Sequence, residues 1–245
     1  MACTRGRPEA PRSHAGSIRA VAFDLLALFD PRGVDARCAT VLPAAPAGFA
    51  ATWKTRLFDY CFLRTSADRY LPFDQLVRDS LAYATRVHHV ELSATMRTSL
   101  ERAFTELEPW PDTAPVLREL HARGLRLAPL ANFAPQMIGA LLQRAGLKDV
   151  FETELSTDLA HTYKPDPRAY ALAEAAFHLS RPEIAFVAFA GWDAAGGCWY
   201  GYPTFWVNRI GASNEVLIEP DATGPDLHAF ARWVSSPTSG EPAIE

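Results

Sequence analysis

The chain has 245 residues and a formal net charge of −4, with 49% hydrophobic and 21% charged residues. This is the balance of an ordinary globular protein. The negative charge argues against a nucleic-acid partner, which needs a basic face, and no apolar run approaches the ~20 residues of a membrane span.

The cysteines and the chain ends bear on the cellular location of the protein. The cysteines are scattered and show neither disulfide nor metal-ligand spacing, so we expect free thiols in a cytoplasmic protein (Cys3, Cys38, Cys61 and Cys198). Residues 1–17 carry charge without the apolar stretch of a signal peptide, and residues 235–245 are rich in Ser and Pro. We predict a disordered arm and a disordered tail there.

The first predicted strand ends on a carboxylate. Residues 18–23 form a run rich in apolar and β-branched side chains, typical of a strand buried on both faces of a parallel sheet. The strand stops at Asp24, and ligands bind at that end of the strands in open α/β sheets. A carboxylate there is costly to bury unless it is paired or used, although a simple turn Asp is the alternative.

Helical periodicity replaces the strand pattern between residues 47 and 106. Because this segment is inserted after the first strand, we predict a helical cap that closes over the strand ends and excludes water. The core domain is then formed by residues 18–46 and 107–234.

Strands and helices alternate through the rest of the core. The predicted strands are residues 125–132, 150–156, 184–189 and 204–208, each followed by a helical pattern. This alternation predicts an α/β fold, a Rossmann-like doubly wound parallel sheet with right-handed crossovers. We expect at least five strands in flavodoxin-like order.

Polar residues stand where these strands end. Asn132 ends the second strand, Lys164 lies in the loop after the third, and Asp193 follows the fourth. The alternative for Lys164 is an ordinary solvated loop lysine. The alternative for Asp193 is an aspartate at a helix N-terminus, where the helix dipole favours it. Because the carboxyl ends of parallel strands meet at one edge, we predict a shared site in which Lys164 neutralises Asp24.

Four stretches carry a family resemblance. They are residues 163–170 (Tyr-Lys-Pro-Asp-Pro-Arg-Ala-Tyr), 191–196 (Gly-Trp-Asp-Ala-Ala-Gly), 206–209 (Trp-Val-Asn-Arg) and 60–64 (Tyr-Cys-Phe-Leu-Arg) followed by Arg69-Tyr70. In order and spacing the sequence resembles the haloacid dehalogenase superfamily, most closely its L-2-haloacid dehalogenase branch.

This resemblance implies the haloacid dehalogenase fold and a chemistry without metal or other cofactor. The carboxylate matching Asp24 attacks the halogen-bearing carbon, and water then hydrolyses the ester. Lys164 and Asp193 match further catalytic positions. The phosphatase branch holds Mg²⁺ with additional acids, whereas Leu26 and Trp192 stand at those positions here.

The sequence departs from the dehalogenase pattern around the expected pocket. Tyr-Gly-Thr-Leu after the nucleophile is shortened to residues 26–28, and Lys54 after Trp53 replaces an arginine. A serine before Asn132 is Ala131, the Gly-Ser after it is Phe133-Ala134, and a Ser-Ser-Asn run is now residues 188–190 (Ala-Phe-Ala). The predicted substrate-binding residues are Asn132, Lys54, Tyr170, Trp53, Phe133, Leu26, Phe189 and Trp192.

Three functions fit this altered pocket. We favour an enzyme of secondary metabolism that displaces a leaving group from an sp³ carbon by intramolecular substitution. In that ring closure Asp24 is the base, and Lys164 or Lys54 supports the departing anion. The alternatives are a hydrolytic 2-haloacid dehalogenase with Asp24 as nucleophile and a non-catalytic binding subunit. The partner is a small-molecule substrate, and the family's dimerisation suggests a second copy or another protein at the cap.

Overall fold

Parallel strands form the centre of the molecule, in a computed structural model that describes residues 18–236. The strands are β1 (Ala20–Phe23), β2 (Arg126–Ala131), β3 (Leu155–Ser156), β4 (Ile184–Ala188), β5 (Thr204–Val207) and β6 (Ala222–Gly224). All pairs within this sheet are parallel. The predicted arm and the tail beyond residue 236 lie outside the described residues.

The strand order is β3-β2-β1-β4-β5-β6, so the flavodoxin-like order is wrong. The chain adds β2 and then β3 outward from β1 before it crosses back to β4, which gives the order of dinucleotide-binding folds. Alternation along the sequence fixes the right-handed connections but does not say on which side each new strand is added. The fold class itself, a doubly wound parallel sheet, is confirmed.

Helices cover both faces of the sheet, and successive side chains of β1 pack alternately against one face and the other. Val21 and Phe23 pack in one hydrophobic cluster, while Ala20 and Ala22 pack in another. The first cluster includes α6 (Thr113–Ala122), α7 (Pro135–Ala145) and α10 (Leu227–Ser235). The second includes α8 (Pro167–Phe177) and α9 (Gly191–Tyr200). All four β1 residues are fully buried.

The remaining helices lie between β1 and α6. Two of them, α1 (Leu25–Leu28) and α2 (Arg32–Val41), follow β1 directly. The three cap helices are α3 (Phe49–Ser66), α4 (Phe73–His88) and α5 (Ala94–Glu101). Phe73 of the cap stacks on Phe133 after β2, with ring centroids 4.6 Å apart. Cap and core side chains therefore share one hydrophobic cluster.

Among residues 18–236, no helix is both long and apolar enough to cross a membrane. Within the same range the three cysteines are free, with Cys38 and Cys61 buried and Cys198 half-buried. Cys3 lies outside the described residues.

Candidate active site

Asp24 lies at the carboxyl end of β1, where the chain turns directly into α1. Its N–H donates to the Val187 carbonyl at 2.8 Å, which continues the β1–β4 ladder by one residue. The side chain makes no capping bond to α1 and is 13% exposed. The carboxylate is thus fixed at its base and open on one side.

Lys164 joins the predicted site residues. Its Nζ donates to Asp24 Oδ1 at 2.9 Å, to Asp193 Oδ2 at 2.6 Å and to the Leu130 carbonyl at 3.0 Å. These three bonds use all the protons of the ammonium group, whose side chain is only 1% exposed. The structure therefore brings together three side chains that are 29 to 169 positions apart along the chain.

Tyr170 of α8 holds the second carboxylate. Its hydroxyl donates to Asp193 Oδ1 at 2.7 Å. This contact requires Gly196 in α9, because a Cβ atom at that position would lie 2.1 Å from the Tyr170 hydroxyl oxygen. The stretch of small residues in α9 thus lets α8 approach closely enough to bind Asp193.

Burial and charge oppose each other in this cluster. Burial alone would lower the pKa of Lys164, but the carboxylates of Asp193 and Asp24 outweigh it and raise that pKa above its usual value. Burial, partly offset by Lys164 and reinforced by the charge of Asp24, raises the pKa of Asp193 to about 6. The site at neutral pH therefore holds an ammonium group between two carboxylates.

The amide nitrogen of Asn132 is left without a hydrogen-bond partner among the described residues. Its Oδ1 accepts the backbone N–H of Lys164 at 2.9 Å, which orients the amide. Its Nδ2 is buried and finds no hydrogen-bond partner among the described residues. An unpaired buried N–H group is costly, so the site is suited to a ligand with an acceptor oxygen at that point.

Apolar side chains border the same edge of the sheet. Trp192, next to Asp193, contacts Phe58 and Phe62 of α3 at centroid distances of 5.9 and 5.2 Å. Leu26 and Phe189 are partly buried against the core cluster. The Trp192 contacts thus link the cap to the first turn of α9, beside Asp193.

Three predicted substrate-binding residues have other contacts. Trp53 is fully buried, and its Nε1 donates to the Val77 carbonyl at 3.1 Å. The Nζ of Lys54 pairs with Asp35 of α2 at 2.6 Å. Phe133 is 3% exposed under the cap residue Phe73. Their roles in substrate binding stay predictions.

Sequence reasoning missed the groups that hold the turn after Asp24. The side chains of Trp110, Arg209 and Thr113 donate to the carbonyls of residues 26, 27 and 28 at 3.1, 3.0 and 2.7 Å. Arg209 is compensated by Asp112 at 2.9 Å. The only available signal was the stretch 206–209, which carried the resemblance without indicating a role.

Two carboxylates face each other in this cluster, as they do in many metal sites, but an ammonium group lies between them. The Lys164 ammonium lies between the two carboxylates, where a cation would otherwise be bound. Residues 18–236 contain no group of three His, Cys, Asp or Glu side chains placed to hold a metal ion. Independence from metal stays a prediction.

Comparisons with known proteins agree on the type of protein. A family model described as haloacid dehalogenase-like hydrolase matches residues 37–197. The chain is 41% identical to an (S)-2-haloacid dehalogenase of Pseudomonas sp. (strain YL) over 195 residues, 79% of this chain and 84% of the relative.

Solved structures give the same result. The crystal structure of the L-2-haloacid dehalogenase RSc1362 is similar with a TM-score of 0.87 and 37% identity, covering 90% of this chain and 100% of that chain. The L-2-haloacid dehalogenase of Xanthobacter autotrophicus with chloropropionic acid covalently bound is similar with a TM-score of 0.82 and 29% identity. It covers 89% of this chain and 98% of that one.

Proposed function

The chain belongs to the haloacid dehalogenase-like hydrolases, and we propose that it breaks the carbon–halogen bond of a 2-haloacid by hydrolysis, with Asp24 as the nucleophile. The relatives named above are 2-haloacid dehalogenases, and they favour this reaction over the ring closure preferred from the sequence. A small 2-halocarboxylate is then the substrate.

The observation that carries this proposal is the state of the Asp24 carboxylate. Lys164 binds Oδ1, while Oδ2 accepts no hydrogen bond from the described residues. One oxygen is thus anchored and the other is free to attack a carbon atom. A positioned, charge-compensated carboxylate with an open oxygen is what covalent displacement requires.

The reaction balances with these groups alone. Asp24 Oδ2 forms a bond to C2 of the substrate as the carbon–halogen bond breaks, and the halide leaves with the electron pair. Water then attacks the Asp24 carbonyl carbon, releasing a 2-hydroxy acid, a proton and the free carboxylate. The unpaired Nδ2 of Asn132 supplies a donor for the substrate carboxylate.

Hydrolysis of the aspartyl ester, the second half-reaction, is the slower of the two in this proposal. Positions 131, 188 and 190 are alanines, which offer no side-chain group to hold or polarise water. We therefore expect the aspartyl ester to form faster than it is hydrolysed. Ala190→Asn, which introduces an amide beside Gly191, should speed hydrolysis of the ester.

Ring closure stays the second candidate because of these same alanines. An intramolecular substitution needs no water, so an apolar wall beside Asp24 would not slow it. The intact contacts of Lys164 with both carboxylates argue against a non-catalytic subunit, since burying three charges without use is costly.

Halide release with 2-chloropropionate or 2-bromopropionate tests the proposal, in the presence and absence of a chelator. We expect halide equal to the enzyme concentration in a first burst, a slow steady rate, and no effect of the chelator. Mass spectrometry should find the substrate's 1-carboxyethyl group on the peptide containing Asp24, as an ester of the Asp24 carboxylate. Asp24→Asn should abolish halide release, since an amide is a poor nucleophile.

Turnover in heavy-oxygen water separates the two candidates. Hydrolysis of an aspartyl ester places the heavy isotope in the Asp24 carboxylate, whereas a base gains none. Halide release without any label in Asp24 would contradict nucleophilic attack. Dimerisation at the cap and a cytoplasmic location remain predictions from the sequence.

A further inference from the structure

The short helix after Asp24 is held by side chains from other parts of the chain. Its four residues, α1 (Leu25–Leu28), are all aliphatic, so it has no polar side chain of its own to close the turn. A single turn of helix is unstable by itself, and its last carbonyls lack partners inside the helix. Three of them accept hydrogen bonds from the side chains of Trp110, Arg209 and Thr113. The position of Asp24 therefore depends on groups outside its own segment.

Arg209 is bound on three sides. Its Nε and Nη2 both donate to the Ala27 carbonyl, at 3.3 and 3.0 Å. Nη2 also donates to the two carboxylate oxygens of Asp112, at 2.9 and 3.1 Å. The side chains of this ion pair are only 6 and 10% exposed, and the guanidinium group lies over the Trp110 ring at 4.7 Å. Burial and the planar fork thus fix the guanidinium group in one orientation.

The groups around Arg209 are fixed as well. Asp112 accepts the first backbone N–H of α10 at 2.7 Å. The side-chain amide of Asn208 donates to and accepts from the backbone of Ala212, at 2.8 Å in each case, which closes the turn after Arg209. The stretch 206–209, which carried the resemblance without indicating a role, thus delivers one oriented guanidinium group to α1.

A line of hydrogen bonds connects Arg209 to Asp24. Arg209 holds the Ala27 carbonyl, and the Ala27 N–H donates to the Asp24 carbonyl at 3.1 Å. On the other side, the Asp24 N–H donates to the Val187 carbonyl. The backbone of Asp24 is therefore held at both ends, and it sets the direction of the side chain. Because Lys164 binds Oδ1, a rotation of this backbone would move the open oxygen Oδ2.

We propose that Arg209 is a positioning residue for the nucleophile, acting through α1 on the direction of Asp24 Oδ2. The inference rests on the proposed function, in which this oxygen attacks C2 of the substrate. Without the guanidinium fork the Ala27 carbonyl would lose both of its bonds to Arg209, and the short helix would adopt other orientations. A purely structural role for the ion pair with Asp112 would change stability alone.

The first test is Arg209→Lys, which keeps the positive charge beside Asp112 but removes the planar fork that also reaches the Ala27 carbonyl. We expect the first turnover of 2-bromopropionate to slow roughly 10- to 100-fold, as for a displaced nucleophile. The substrate concentration at half-saturation should change less than about threefold, since the loss acts on the transition state and not on binding. Quenched-flow measurement of the bromide burst over a range of substrate concentrations gives both quantities.

The matched control is Arg126→Lys, at the amino end of β2 and therefore at the opposite edge of the sheet. Arg126 makes the same kinds of contact. It pairs with Glu152, donates to the Phe177 carbonyl at 2.6 Å and lies over the Phe177 ring at 5.1 Å. Both variants should lower the melting temperature, but Arg126→Lys should leave the bromide burst within about twofold of the parent, because distant sites act independently.

Hydrogen exchange provides a readout that needs no turnover. The peptide of residues 24–29 should exchange faster in Arg209→Lys than in the parent and at the parent rate in Arg126→Lys, because only the first substitution frees α1. Trp110→Phe keeps a ring beside the guanidinium group and removes the donor to the Leu26 carbonyl. It should show the same two effects to a smaller extent, and it replaces Arg209→Lys if that variant does not fold.

Two results would overturn the inference: equal losses of bromide release in Arg209→Lys and Arg126→Lys, or an unchanged burst in Arg209→Lys. The ion pair would then have a structural role only. A parent protein that releases no bromide contradicts the proposed function instead, and the exchange data then decide. Faster exchange of residues 24–29 in Arg209→Lys alone supports the positioning of Asp24, and equal exchange in all the proteins overturns it.

Discussion

A single ammonium group controls the charge of the candidate active site. Lys164 binds both Asp24 and Asp193, so three charges sum to one negative charge in a region that is almost fully buried. Removing the ammonium group would leave two carboxylates facing each other without a compensating charge. The free-energy cost of that loss would be far larger than the net contribution of the intact trio to stability. The open oxygen of Asp24 depends on this arrangement, because the cation occupies only Oδ1.

The pH dependence of the enzyme should follow Asp193. Burial raises its pKa from 3.8 to about 6, so it takes up a proton as the pH falls through 6 and Lys164 loses one partner. Halide release should therefore decrease below about pH 6. A carboxyl that binds its proton more tightly in the folded state favours folding at low pH. Its contribution is complete below pH 3.8 and is lost as the pH rises through 6.

Urea unfolding between pH 4 and pH 7 measures the stability part of this prediction. The control is Asp193→Asn, which has no titrating proton, so the difference between the two proteins isolates Asp193. A difference in unfolding free energy that stays constant across this range would show that Asp193 keeps the pKa of a solvated aspartate.

The close contact of α8 and α9 shows how a helix positions a functional group. Asp193 lies in the first turn of α9, and Gly196 follows one turn later, facing Tyr170 and Pro165. Gly196 does not have a positive φ, so its use here is the absence of a side chain. The helix is a weak one by propensity, since it contains adjacent glycines, but tertiary packing more than offsets this.

Replacing Gly196 by Ala should therefore destabilise the protein and slow halide release. The new methyl group would overlap the Tyr170 hydroxyl and lie 2.9 Å from Pro165 Cβ. We expect a loss of roughly 1–3 kcal/mol in unfolding free energy, as for other overpacked cores. Thermal and urea denaturation measure it.

The matched control is Gly139→Ala in α7. A Cβ there would meet only the side-chain ends of Glu154 and Lys148, at 3.4 and 3.7 Å, which are ordinary contact distances. It should stabilise the protein by about 0.5–1 kcal/mol, the gain of alanine over glycine inside a helix. Equal effects of the two substitutions would mean that α9 moves freely away from Tyr170.

Aromatic contacts join the cap to the core of the molecule. Phe133 leaves the core after β2 and packs against Phe73 and Phe104, at 4.6 and 6.2 Å. On the other side of the site, Trp192 of the core meets Phe58 and Phe62 of α3. These contacts hold the cap over the strand ends, and they leave no separate hydrophobic core within the cap.

Cap and core should accordingly unfold together, and Phe133 should be critical for both. Phe133→Ala removes a 97% buried ring, and we expect a loss of about 3–5 kcal/mol with a single unfolding transition. Leu159→Ala, at a residue that is 65% exposed, should change stability by less than about 0.5 kcal/mol. Two separate transitions in calorimetry would show that the cap is an independent folding unit.

The sequence by itself determined the parts that depend on local pattern. Apolar runs that alternate with helical patterns gave the doubly wound sheet, and the ends of those runs placed Asp24, Asn132, Lys164 and Asp193 at one edge. This worked because the carboxyl ends of parallel strands converge whatever their order. Predicted strands at 125–132, 184–189 and 204–208 agree closely with β2, β4 and β5.

Only the tertiary structure decided what depends on distant partners. The order of the strands, the shortness of β3 and the presence of β6 follow from packing between segments far apart in the chain. The directions of the side chains could not be predicted from the sequence either. Lys54 is paired with Asp35, and Trp53 is buried in the cap, because a position on a helix does not by itself identify the neighbour that the helix packs against.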